Sequence, residues 1–252
     1  MIASLPMYLR PENRQAHERL WQGIAAELLK QDIPAPQTLD HAINHVSSWQ
    51  RPDLVLGQIC NLPYRHHIRN RVTRIAAADY GLPHCPPGHY CSLFVVREDE
   101  PEEDPAAYAD RRFAYNDIYS QSGFGAPQLW AAEHGFQFRT TLATGGHRAS
   151  IAALAEGEAD IAAIDAQTWA MTSRYDPQPK SLKVIGATAT SPGMTFITAG
   201  DIDPAPYFTA ISTAIDALDT KTAETLGLRG IVRLDDAAYD IPFPPDYQAP
   251  PL

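Results

Sequence analysis

Ala159-Asp160-Ile161-Ala162-Ala163-Ile164-Asp165 sets the architecture. A short unbroken apolar run bounded by polar residues reads as a strand buried on both faces of a sheet. It follows a helical stretch, His147 to Glu156, that Gly157 stops, and it ends in an acid. Pro52-Asp53-Leu54-Val55-Leu56-Gly57-Gln58 repeats the pattern, coming after a helical run from Leu39 to Trp49 and the breaker Arg51-Pro52. In open α/β sheets the ligand crevice lies outside the carboxyl ends of the strands. Gln58 and Asp165 are therefore expected to face a crevice.

Outward from these two runs the alternation continues. Ile2-Ala3-Ser4-Leu5 reads as a first strand. Asn13 to Lys30 reads as a helix, with Ala16, Leu20, Ile24 and Leu28 on one face. Val72–Ala78 and Tyr90–Val96 read as strands. The acidic stretch from Arg97 to Pro105 reads as a solvated linker. Beyond it come a strand Arg112–Tyr115, a helix Ser122–His134 stopped by Gly135, and a strand Phe138–Leu142. Later elements are strands at Lys183–Gly186 and Thr195–Thr198 and helices at Tyr207–Leu218 and Thr220–Leu226. Strand–helix alternation over short connections predicts α/β lobes with mostly parallel sheets. The expected division is residues 1–92 with 187–252 in one lobe and 93–186 in the other.

Composition narrows the function. A hydrophobic share of 44% with 20% charged residues suits a folded core. A net charge of -10 excludes a nucleic-acid partner, because phosphate backbones call for clustered Lys and Arg. No run reaches the roughly 18 apolar residues of a membrane span, so no membrane insertion is expected. Met1-Ile2-Ala3-Ser4-Leu5-Pro6 lacks the basic start and apolar core of a signal peptide. The expectation is a cytoplasmic protein as the chain is written, or a periplasmic one if a leader was removed. Cys60, Cys85 and Cys91 are an odd set, so at least one thiol lies outside any bridge within the chain.

The stretch Tyr115-Asn116-Asp117-Ile118-Tyr119-Ser120-Gln121-Ser122-Gly123-Phe124-Gly125 carries the chemistry. Ser120 and Ser122 bracket a strand-to-helix turn, and Gly123 lets backbone approach a ligand. Unpaired first-turn N–H groups and the positive end of the helix dipole favour an anion there. Ser122 as a plain helix cap is the competing reading, and the residues leave both open. Thr144-Gly145-Gly146-His147 opens the next helix, with His147 a candidate donor, whereas Arg148 faces about 100° away, toward solvent. Asp165 can cap the helix that follows it or accept a proton from a ligand. Tyr8, Asn61, Tyr64 and Tyr90 lie near strand ends or turns, where a ring with a polar tip suits the wall of a site.

His84, Cys85, His89 and Cys91 are spaced poorly for zinc, which takes paired ligands two to four residues apart, so no metal is expected. There is no Gly-x-Ser-x-Gly elbow, no Walker loop and no dinucleotide fingerprint, and no cofactor is expected either.

The chain resembles the phosphate/phosphite/phosphonate-binding proteins of ABC transporters, a branch of the type 2 periplasmic binding fold. The resemblance is carried by Ala3 to Tyr8, Pro52 to Gln58 running into Leu62-Pro63-Tyr64, Asn116 to Gly123 with its Ser-x-Ser-Gly, Gly146 to Ser150, and Gly157 to Asp165. It implies a two-lobed fold with the ligand cleft between the lobes, which close about a hinge. It also implies phosphoryl oxygens bound by Ser120, Gln121, Ser122 and Gly123, with His147 and Asp165 facing the ligand. Tyr64 and Tyr8 are the implied contacts from the first lobe. The implied function is capture of a small phosphate- or phosphonate-like anion for an ABC permease, without catalysis. The alternatives on the same scaffold are a cytoplasmic ligand sensor or an enzyme resembling those of menaquinone or thiamine-pyrimidine formation.

Overall fold

The computed structural model describes residues 1–250. The chain runs β1 (Ile2–Ser4), α1 (Arg14–Leu29), α2 (His45–Trp49), β2 (Leu54–Ile59), α3 (Asn61–Pro63), β3 (Val72–Asp79), β4 (His89–Tyr90), β5 (Ser92–Arg97) and β6 (Phe113–Tyr115). It continues α4 (Ala126–Glu133), β7 (Thr141–Ala143), α5 (His147–Ala155), β8 (Ile161–Asp165), α6 (Ala166–Tyr175) and β9 (Leu182–Ala187). Then come β10 (Ser191–Pro192), β11 (Thr195–Ala199), α7 (Ala205–Asp216), α8 (Thr220–Leu226), β12 (Gly230–Val232) and α9 (Asp236–Tyr239).

Two compact units result. The first comprises Met1–His89 and Pro192–Asp240, and the second Tyr90–Ser191 with the tail from Ile241. The tail groups with the second unit, where the pattern of elements put it in the first lobe.

The first unit is built on a sheet of order β1-β2-β11-β3-β12. β1 and β2 are parallel, whereas β11 runs antiparallel to both β2 and β3. The apolar stripe of α1 buries Leu20, Trp21, Ile24 and Leu28, and α1 packs on α7. At that contact Gly23 brings the helices close, since a Cβ there would lie 3.1 Å from the Ala214 Cβ. Trp21 is fully buried and its indole N–H donates to the Pro36 carbonyl (3.1 Å), so its one polar atom is satisfied.

The second unit is built on the order β7-β6-β8-β5-β9. β6, β7 and β8 are parallel, and β5 is antiparallel to β8 and β9. One core cluster, around Val95, Ile151, Leu154 and Ile164, includes α5 residues. The other holds Phe94, Tyr108, Phe113 and Phe138, and the Phe113 and Phe138 rings stack at 4.4 Å.

Both sheets are mixed rather than mostly parallel. An apolar run reads the same in either direction, so periodicity carries no strand polarity. The antiparallel strands β5 and β11 come directly after β4 and β10, where the chain passes from one unit to the other. The helix read over Leu39–Trp49 shrinks to α2. Asp40 Oδ1 accepts the Ala42 and Ile43 N–H groups, and Asn44 then caps α2 through Val46 N (2.9 Å). Such local side-chain bonds compete with helix formation. The strand read over Phe138–Leu142 is displaced to β7, because Gln128 clamps the Phe138 backbone at both N–H and C=O (3.2 and 2.9 Å).

Helix ends follow the glycines: Gly135, Gly157 and Gly227 all have positive φ. Gly227 closes α8 at φ 66°. Gly227→Ala is expected to cost about 1–2 kcal/mol, since a Cβ disfavours the left-handed region. Urea unfolding of the variant checks this, and an unchanged midpoint would mean that the end of α8 relaxes freely.

Candidate anion site of the second unit

The carboxyl edge of the second sheet collects the polar residues. β6 ends at Tyr115, β7 at Ala143 and β8 at Asp165, and the three strands are parallel, so the segments following them emerge on one edge. Ser92 opens the antiparallel β5 directly opposite Asp165. Ser120, Ser122, His147, Asp165 and Ser92 thereby come to one edge of one sheet from four separate stretches of sequence.

The turn after β6 is held from within. Asp117 accepts the Tyr119 N–H (2.8 Å), and the Asp117 carbonyl accepts the Ser120 N–H (3.0 Å). Ser120 caps the helical run that starts at Gln121, its hydroxyl oxygen accepting the Gly123 N–H at 3.0 Å. The run opens with one wide turn, Gln121–Gly125, and passes into α4. Capping by Ser120 leaves its O–H free to donate onward, so capping and anion binding are compatible at this residue. Gln121 and Ser122 are buried at 1% and 2% exposure. The Ser92 hydroxyl donates to the Ser122 carbonyl at 2.7 Å, and Thr188 Oγ1 in turn accepts the Ser92 N–H at 3.1 Å.

Ser122 Oγ lies 3.4 Å from Ser120 Oγ and 2.8 Å from His147 Nε2. His147 is the first residue of α5. The residue as a whole is part-exposed, but its Nδ1 is shielded and makes no hydrogen bond. Burial lowers its pKa to about 4, so the ring is neutral at physiological pH. A neutral imidazole beside a hydroxyl offers one directional hydrogen bond instead of a net charge. Gly123 sits under both His147 and Asn116: a Cβ there would lie 1.8 Å from Asn116 Oδ1 and 3.2 Å from His147 Cε1. Asn116 Oδ1 is itself buried without a hydrogen-bond partner.

Asp165 is fully buried and caps α6, its Oδ1 accepting the Thr168 N–H at 2.8 Å. Arg148 turns to solvent and pairs with Asp176 at 2.9 Å. In the first unit, Tyr8 is buried with its ring edge-on to Tyr80 (5.0 Å) and lines a small crevice with His17 and Gln58. Gln58 lies inside β2 rather than at its end. Tyr64 is buried in the cluster of Trp49, Leu54 and Ile59, edge-on to Tyr239 at 5.6 Å. The sequence reading had no role for Ser92, Asn116 or Thr188. Their placement depends on strand pairing and on the close approach of the Gly123 turn, neither of which leaves a local mark.

Among curated proteins no sequence matches this chain. Several solved structures share its fold at low identity. PhnD1 from Prochlorococcus marinus, solved with methylphosphonate, is 18% identical with a TM-score of 0.69, covering 95% of this chain and 94% of PhnD1. A binding-protein component of an ABC phosphonate transporter from Pseudomonas aeruginosa is 16% identical with a TM-score of 0.70, covering 95% of this chain and 82% of its own. A Xanthomonas citri protein solved with chloride is 16% identical with a TM-score of 0.67, covering 94% and 93%. The likeness shows the fold, the two-lobed α/β architecture of periplasmic binding proteins. Residues 53–239, well over half of the chain, match the family described as ABC transporter, phosphonate, periplasmic substrate-binding protein. This chain therefore belongs to the family of periplasmic substrate-binding proteins of ABC phosphonate transporters, which are binding proteins and not enzymes.

Proposed function

We propose that the protein captures a small phosphonate- or phosphate-like anion on the Ser120–Gly123 turn and delivers it to an ABC permease. The observation that carries this reading is the Ser122–His147 contact of 2.8 Å at the start of a helical run capped by Ser120. Hydroxyls, first-turn N–H groups and the positive end of the helix dipole favour the oxygens of an anion. Ser120, Gln121, Ser122, Gly123 and His147 are the proposed oxygen ligands, and Asp165 is the proposed acceptor of a ligand proton. Tyr8 and Tyr64 are proposed as further ligand contacts. A Ser–His pair also suggests nucleophilic catalysis, but an activated nucleophile needs its base oriented by a third group. His147 Nδ1 has no such partner.

Asp165 disfavours a fully ionised ligand and favours one that brings a proton or an ammonium group. The test is a thermal-shift panel of phosphate, phosphite, methylphosphonate, 2-aminoethylphosphonate and sulfate. A ligand at about 100 times its Kd is expected to stabilise the fold by about 2.7 kcal/mol. Protonated and aminoalkyl compounds are expected to exceed sulfate. Sulfate matching them would remove the role given to Asp165, and a panel without any shift would remove the ligand class. Ser122→Ala is expected to weaken binding about tenfold, roughly 1.5 kcal/mol, the lower end for a hydrogen bond to a charged group. Titration calorimetry against methylphosphonate measures it.

A further inference from the structure

The tail from Ile241 has no regular secondary structure up to residue 250, yet it meets the second unit at two informative points. The Tyr119 hydroxyl donates to the Pro250 carbonyl at 2.9 Å. The Tyr247 ring packs on Phe124 with centroids 6.1 Å apart, and Phe124 in turn packs on Tyr115 at 5.2 Å. Phe243 stacks parallel to Tyr247 at 5.6 Å. Tyr119 directly precedes Ser120, and Phe124 directly follows Gly123. The tail therefore grips the residues on either side of the four-residue turn.

We infer that residues 241–250 are a positioning strap that holds the Ser120–Gly123 turn in its anion-binding geometry. This rests on the reading that the turn binds the anion. Pro242, Pro244, Pro245 and Pro250 restrict the free conformations of the segment, so little entropy is lost when it lies along one path. The wide turn at Gln121–Gly125 contains two glycines and departs from ordinary helix geometry. Such turns are rare and gather at functional sites, and aromatic packing on one adds support from outside its own backbone hydrogen bonds. Phe124, held between Tyr115 and Tyr247, supplies that support.

The test uses the full chain with Tyr247→Ala, Tyr247→Phe and Tyr119→Phe, read by calorimetry against methylphosphonate and by amide hydrogen exchange. Tyr247→Ala is expected to raise Kd about three- to tenfold, as the binding-competent fraction of the turn falls. Exchange over residues 119–125 is expected to quicken while the β5 and β8 amides keep their protection. Tyr247→Phe keeps the ring and is expected to recover most of the affinity. Tyr119→Phe is expected to raise Kd about twofold. Unchanged Kd in Tyr247→Ala overturns the strap, whether or not exchange changes. If the unaltered protein binds no member of the anion panel, the reading of the turn fails separately. Exchange then decides the strap alone: quicker exchange over 119–125 upholds it as a brace, and unchanged exchange overturns it.

Discussion

Gly123→Ala is expected to reduce anion affinity by about three- to thirtyfold and to lower the melting temperature as well. An added Cβ would meet Asn116 Oδ1 at 1.8 Å and Asn116 Cγ at 2.8 Å, both too close to coexist. Asn116 must move, yet its Oδ1 is buried. The same Cβ would press on His147 Cε1 at 3.2 Å, and His147 Nε2 is the partner of Ser122 Oγ. Overpacking of this kind costs about 1–3 kcal/mol. Part of that cost falls on the Ser122–His147 contact, and each 1.4 kcal/mol lost from binding is a tenfold change in Kd. A double-mutant cycle isolates the cause. Asn116→Ala in the Gly123→Ala background removes the clashing atoms, so the double variant should be less than additively impaired. Full affinity in Gly123→Ala alone would show that the turn is not the anion site.

Acidification should expose the buried state of His147. In the unfolded chain a histidine titrates near 6.5, whereas burial lowers His147 in the folded protein to about 4. Between those values the unfolded state takes up a proton that the folded state refuses. Folding stability therefore falls as pH drops through this window and gains nothing further above it. The loss is roughly 2–3 kcal/mol, moderated by the residue's partial exposure. His17, also lowered by burial, adds to the overall acid sensitivity, so the comparison must be a difference. Urea unfolding of the unaltered protein and of His147→Gln at pH 7.5 and pH 4.5 provides it. The unaltered protein is expected to lose about 2–3 kcal/mol more than the variant. Parallel losses in the two proteins would show that His147 is protonated in the folded state.

Much of the architecture is written locally in this chain. The four apolar residues before Asp165 and the stripe Leu20–Ile24–Leu28 locate β8 and α1, because burial of one face repeats with the period of the element. Glycines after His134 and Glu156 locate helix ends, because a left-handed residue satisfies the last carbonyls of a helix. The Ser120-Gln121-Ser122-Gly123 turn was legible for the same reason: capping and anion binding both depend on groups a few residues apart.

Other features have no such local trace. The direction of β5 and β11 follows from where the chain re-enters each sheet, and an apolar run is symmetric under reversal. Ser92 faces Asp165 and supports Ser122 only through strand register, and Asn116 fills the space that Gly123 leaves only through close packing. The tail from Ile241 looks like a proline-rich extension of the first lobe, yet it docks beside Tyr119 and Phe124 of the second. Each of these contacts joins residues more than twenty apart, or joins near neighbours at a distance that only packing sets. Short-range periodicity carries the free energy of burying a face. Direction, register and close approach depend on which distant surface that face meets.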